Sequence, residues 1–190
     1  DHVPLNLSGA STVKLEHATV QYTGGGAFSA IGISGNVSAI AIDRDSLVTS
    51  TYCGIGTENA DTKTIGVLSV SGNLHGNAKA LSIGQNTTLT QLTADNEGKG
   101  HIFANGGSGI AIENVGGTIV NLMMEENTKI EGTVFGLSNS GGSVGTIQIS
   151  GLLSGVLNVD GVIDSVVVLD KGKILGERTA IQNQRSAGDT

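Results

Sequence analysis

Ile147-Gln148-Ile149-Ser150-Gly151-Leu152-Leu153-Ser154-Gly155-Val156-Leu157-Asn158 holds in one stretch what the rest of the chain repeats. The alternation Ile147-Gln148-Ile149 points two aliphatics to one side of an extended segment. Gly151 and Gly155 interrupt it, and Asn158 closes it. The opening, aliphatic-x-Gly, recurs at Ile33-Ser34-Gly35, Val70-Ser71-Gly72, Ile130-Glu131-Gly132 and Ile174-Leu175-Gly176. The full phrase continues through Gly or Ala to an aliphatic and often x-Asn, as in Ile130–Asn139, Ile149–Asn158 and Ile174–Asn183. Ile102–Asn114 is a stretched copy. The spacing of these glycines predicts a repeating unit of roughly 19 to 30 residues.

Short alternating triplets surround these phrases. They are Val13-Lys14-Leu15, Val20-Gln21-Tyr22, Ile31-Gly32-Ile33, Ile40-Ala41-Ile42, Leu81-Ser82-Ile83, Ile110-Ala111-Ile112, Ile147-Gln148-Ile149 and Val166-Val167-Val168. Each reads as a strand, and the Gly, Asn, Ser and Asp between them are turn residues. The nearest approach to a helix, Leu122-Met123-Met124-Glu125-Glu126, is too short to stand alone. Glycine supplies 30 of the 190 residues, with one proline, one cysteine and no tryptophan. Glycine without a collagen period, and with Val, Ile and Leu throughout, excludes both a triple helix and a disordered chain. One cysteine, Cys53, excludes a disulfide scaffold, and reads as a small core residue. No apolar run reaches the ~18 residues of a membrane helix, and no secretion leader is visible, which reads as a soluble segment.

A unit of three short strands and three turns cannot bury its own inward face. Stacking each unit on the last makes one apolar column and satisfies the backbone between coils. The expectation is therefore an all-β chain, a right-handed parallel β-helix of roughly eight coils, forming a single domain over residues 1–190. Proline is almost excluded from such a ladder, and Pro4 sits near the start. Asn114, Asn139, Asn158 and Asn183 are expected to stack as an asparagine ladder at one corner, chosen there for tolerance of left-handed backbone. Gly54–Lys63 and Thr93–Gly100 lack strand periodicity and are expected to project as loops, where binding tends to reside. Asp1–Leu7 and Gln184–Thr190 lose the phrase, which suits a chain cut from a longer rod.

These phrases, with the Gly116-Gly117 and Gly141-Gly142 corners, resemble the passenger region of a Gram-negative autotransporter, most clearly from Thr64 to Asn183. The resemblance implies a secreted β-helix displayed at the bacterial cell surface, its parent anchored through an outer-membrane barrel. It implies adhesion or self-association, with a host-cell surface or a neighbouring bacterial passenger as partner. Two alternatives are an inert stalk beneath a serine-protease head outside this chain, and a phage tailspike segment.

A search for chemistry finds no catalytic, cofactor-binding or metal-binding residue to nominate, so the expectation is a protein that is not an enzyme. Asn139-Ser140-Gly141-Gly142 is similar to the surroundings of a chymotrypsin-like serine, but Asn139 replaces the aspartate. His17, His75 and His101 lie in repeat or loop contexts and supply no recognisable base for Ser140. Asp43 and Asp45 are two apart, and Asp160, Asp164 and Asp170 are spread over successive turns; solvated carboxylates explain both. Gly106-Gly107-Ser108-Gly109-Ile110-Ala111 has alanine where a calcium nonapeptide needs aspartate, so no metal is expected. The triplets at Asn6, Asn36 and Asn86 match the glycosylation pattern by composition alone. The net charge of −7, with no basic run in the sequence, argues against nucleic acid as a partner.

Overall fold

The computed structural model describes residues 5–9, 12–57, 61–97, 99–176 and 179–185. Among them are 22 strands and no helix. All eight alternating triplets lie within strands, and Leu122-Met123-Met124 ends the strand Thr118–Met124. Sheet A contains Leu5–Leu7, Ser29–Ile33, Cys53–Thr57, Lys79–Ile83, Ile110–Val115, Phe135–Ser140, Val156–Val159 and Ile181–Gln184. Sheet B contains Thr12–Leu15, Val37–Ile42, Lys63–Val70, Thr87–Ala94, Thr118–Met124, Ser143–Ile149 and Val162–Val168. Sheet C contains Thr19–Tyr22, Leu47–Ser50, Asn73–Gly76, His101–Ala104, Lys129–Gly132, Leu152–Ser154 and Lys173–Leu175.

The chain visits A, B and C in turn, and each strand pairs in parallel with its counterpart one turn away. The fold is a parallel β-helix of seven complete three-strand turns, with Ile181–Gln184 beginning another. This is close to the roughly eight coils expected, and turn length varies. Leu137 and Val156 are 19 residues apart on neighbouring turns, whereas Leu81 and Ile112 are 31 apart.

Columns of like residues make the core. In sheet A, Ile31, Ile55, Leu81, Ile112, Leu137 and Val156 stack in register. In sheet B the column is Ile40, Leu68, Leu92, Leu122 and Ile147, and in sheet C it is Val48, Leu74, Ile102, Ile130 and Leu153. All of these side chains are fully buried or nearly so. In the last turn Val166 is half-buried against the core while Val168 and Ile181 are exposed, since no described strand covers them.

The recurring phrase is a corner signal and not a once-per-turn marker. Ile33-Ser34-Gly35 leaves sheet A, Val70-Ser71-Gly72 and Ile149-Ser150-Gly151 leave sheet B, and Ile130-Glu131-Gly132 and Ile174-Leu175-Gly176 leave sheet C. The glycine is required because backbone crowds its Cβ position, from the neighbouring turn at the corners leaving sheets A and B and from the carbonyl three residues on at those leaving sheet C. A Cβ on Gly151 would press on the Thr128 carbonyl, and one on Gly132 on the Phe135 carbonyl.

The expected loop at Gly54–Lys63 is much shorter. Cys53–Thr57 is a buried strand of sheet A and Lys63 opens a strand of sheet B. Gly54 and Gly56 hid the strand because glycine carries no side chain to show alternation. Asp61 and Thr62 remain between strands; residues 58–60 fall outside the described residues. Likewise Thr93 and Ala94 end a strand, so that loop begins at Asp95, with Gly98 outside the described residues. Pro4 also lies outside them.

The asparagine ladder is present and continuous. Asn114, Asn139, Asn158 and Asn183 are in register on sheet A. Each Nδ2 donates to the Oδ1 of the next, at 2.7, 2.7 and 2.8 Å. Each of the first three also donates to the carbonyl three residues on, at Gly117, Gly142 and Gly161. The reason for asparagine is thus the amide's paired donor and acceptor, and not backbone conformation. The left-handed residues stand two places later, at Gly116, Gly141 and Asp160.

Candidate functional site

Strand alternation that sends Ile40, Leu68 and Leu92 inward sends their neighbours outward, where polar residues stand among the exposed apolar side chains of Val67, Val120, Met123, Val162 and Val167. One outward column runs Thr64, Thr88, Thr118 and Ser143. A second runs Val67, Gln91, Asn121, Thr146 and Ser165, and a third Ser69, Thr93, Met123 and Gln148. Hydroxyls and amides therefore recur at each ladder step, about 4.8 Å apart. Gln91 donates to Thr93 Oγ1 at 3.0 Å within this face.

At the edge toward sheet C, the strands end on Leu15, Ile42, Val70, Ala94, Met124 and Ile149 in register. The residues that follow are Glu16, Asp43, Ser71, Asp95, Glu125 and Ser150, so four carboxylates line the ledge. Face and ledge together form an open groove of about 480 Å³, lined by Lys14, Asp43, Val67, Gln91, Asp95 and Glu125 among others. The acids are tied into the corners. Asp95 Oδ2 accepts from Ser69 Oγ at 2.7 Å and Ser71 Oγ at 2.8 Å, and Oδ1 from the Glu97 amide at 3.2 Å. Glu125 Oε2 accepts from the Asn96 amide at 2.9 Å. The Ser46 hydroxyl, and then the His17 and Asp45 amides, hold the Asp43 carboxyl below its usual range. What such a groove can do is accept and donate hydrogen bonds to a hydroxyl-rich surface.

The residues weighed from the sequence fall in separate places. Asp45 meets His17 Nε2 at 3.3 Å and Arg44 Nε at 3.4 Å, while Asp43 braces the corner. Asp160 sits at the turn from A to B, Asp164 on sheet B and Asp170 in the turn to C. Ser140 ends a strand of sheet A, exposed, beside the ladder residue Asn139. Asn139-Ser140-Gly141-Gly142 is thus a ladder turn, with Gly141 at φ 63°. Burial pushes the Cys53 thiol up to about 11, which leaves it protonated at neutral pH. Among the described residues, no three of His, Cys, Asp and Glu come together as a metal site.

One grouping was invisible in the sequence. On the outer side of sheet C, Phe103 lies between His75 and His101, with ring centroids 4.4 and 4.3 Å away. His75 also meets Thr49 Oγ1 and Asn105 Oδ1, both at 2.8 Å. His101 Nε2 is 2.8 Å from Glu131. His75 and Phe103 are 28 residues apart and share one ladder rung, which only the coil register reveals.

No family model, no curated protein and no solved structure matches the chain. What defines its class is the fold: a parallel β-helix with an aliphatic interior and laddered polar faces.

Proposed function

We propose that the chain is a display rod, a passenger segment of the autotransporter type at the bacterial surface, working in adhesion or self-association. The observation that carries this reading is the outer face of sheet B. Its columns, in which Thr, Ser, Gln and Asn outnumber the interrupting Val67, Met123, Val162 and Val167, repeat in register along successive turns over a fully buried aliphatic core. Such a face offers many hydrogen-bonding groups at a fixed spacing on a stiff support. Each contact is weak, because water competes for every hydroxyl. Many rods on one cell, meeting another cell, turn weak contacts into strong attachment. The role asks for contact and reach and not for turnover.

The test displays the chain on bacteria through an unrelated outer-membrane anchor. Sedimentation of the culture and attachment to epithelial monolayers are measured. A companion variant carries Gln91→Glu, Asn121→Glu and Thr146→Glu, three outward positions in one column. Clumping or attachment by the parent, lost in the variant with circular dichroism unchanged, is expected. Cells that neither clump nor attach would sink the adhesive reading and put the inert stalk first.

A further inference from the structure

The protein carries net charge −7, yet three of its ten basic residues meet at one place. Lys129, Lys171 and Lys173 line an open notch of about 280 Å³ beside sheet C, with Thr128, Leu152 and Leu175. Among the described residues that line it there is no carboxylate. Lys129, Leu152 and Lys173 occupy successive rungs of one ladder. Two ammonium-bearing positions thus stand two steps apart, roughly 10 Å, with an apolar side chain between them. Glu126 answers Lys171 at 2.7 Å and Glu131 answers Lys129 at 3.7 Å from outside the notch. Lys173 has no ion-pair partner among the described residues.

We infer that this notch binds an acidic sugar unit of a linear polysaccharide, a uronate or a sulfated residue. The carboxylate or sulfate meets Lys171 and Lys173, and the C–H face of the sugar ring lies on Leu152. Lys173, the one lysine of the three that no described acid answers, selects the anion, and Lys171 turns to it from Glu126. The apolar floor selects a ring-bearing anion over an inorganic one. The volume lies just under the ~300–1,000 Å³ common for small-molecule sites, which suits a short stretch of sugar and not a large ligand. Duplex nucleic acid fits poorly, because it needs cations along many successive phosphates while the rest of this chain is acidic. The inference deepens the display-rod reading by giving the contact a chemistry, and it rests on that reading for its biological setting. A single notch binds weakly and with strong salt dependence; many displayed rods multiply it.

The experiment uses the purified chain and hyaluronan and chondroitin sulfate oligosaccharides, followed by titration calorimetry and NMR shifts. Dextran, short duplex DNA and phosphatidylglycerol vesicles are the comparison ligands. The acidic oligosaccharides are expected to bind, and Lys171→Gln with Lys173→Gln to weaken them by about tenfold or more, the size of one lost charge-assisted contact. Both lysines are exposed, so the melting curve stays unchanged. Arg44→Gln, at an exposed cation outside the notch, leaves binding intact. Equal binding of dextran, full binding by the double variant, or no binding at all overturns the inference. Tighter binding of DNA or vesicles overturns the sugar assignment in favour of a general polyanion patch. If displayed cells attach while the purified chain ignores acidic sugars, the notch falls and the display reading stands. If the purified chain binds them but displayed cells do not attach or clump, the reverse holds.

Discussion

Changing Asn139 to Asp tests whether the asparagine ladder is held by its amides. The substitution keeps the shape and keeps the acceptor that takes the Asn114 amide at 2.7 Å. It removes the donor. A carboxylate oxygen then faces three acceptors: Asn158 Oδ1 at 2.7 Å, the Gly142 carbonyl at 3.1 Å and the Val162 carbonyl at 3.2 Å. Asn139 is fully buried, so water cannot relieve the clash. Leaving buried acceptors unpaired beside an uncompensated charge costs about 3–5 kcal/mol. With a urea slope of about 2–3 kcal/mol/M, the midpoint drops by roughly 1–2 M. The control is Asn183→Asp. That residue is exposed and accepts from Asn158 at 2.8 Å, which a carboxylate does equally well, so its cost is under about 0.5 kcal/mol. The pH dependence gives a second reading. Protonation restores a donor toward Asn158, so the folded variant holds its proton more tightly than the unfolded chain. The deficit is smallest below the unfolded value of about 3.9 and grows as pH rises from there to the raised folded value. Matching midpoints for the two variants, or a deficit indifferent to pH, would refute the ladder as the source of stability.

Ile83 stands in register directly before Asn114, whose buried Oδ1 has no hydrogen-bond partner. Ile83→Asn should extend the ladder and cost about 2 kcal/mol less than Ile112→Asn, where no amide waits; urea midpoints compare the two. Ile149→Asp should destabilise by at least about 3 kcal/mol and its outward neighbour Ser150→Asp by under about 0.5, again by denaturation midpoint. Thiol reagents at pH 8 should modify Cys53 only at the rate of unfolding, since burial both shields the thiol and keeps it protonated. Rapid labelling of the native chain would contradict that. Burial pushes His101 below its usual value, with Glu131 opposing. The unfolded chain therefore takes the proton first, so stability is full above about pH 6.5 and declines as pH falls through that value. His101→Gln should flatten this slope in denaturation curves at pH 7.5 and 5.0.

The strands and the ladder were legible because both write themselves locally. Ile147-Gln148-Ile149 shows its inward side in three letters, and Asn139 and Asn158 occupy equivalent ends of equivalent phrases. The turn length was less legible. The aliphatic-x-Gly signal marks a corner, and a triangular coil has three kinds of corner, so Gly132 and Gly151 are separated by less than the turn they belong to. Gly54 and Gly56 concealed a strand for the opposite reason: their neighbours, not their side chains, hold them in the sheet. Ser140 illustrates the converse error that composition invites, since a serine before two glycines serves a tight turn as readily as a catalytic one.

Sites were the least legible part, and the cause is geometric. In this fold, the residues that touch across a rung are 19 to 31 positions apart in the chain, depending on the turn. Lys129 and Lys173 belong to one column, with Leu152 between them, yet nothing in their local sequence says so. His75 meets Phe103 for the same reason. The inward columns are constrained by packing against the turns above and below, so their residue types repeat and betray the register. The outward columns carry no such constraint, and each rung is free to change charge or ring without disturbing the core. The inferred lysine notch therefore lies where the sequence has least periodicity. It becomes readable only after the periodic positions have fixed which residue lies over which. Once Ile130, Leu153 and Ile174 are aligned inside, the three lysines around Leu152 follow as neighbours outside.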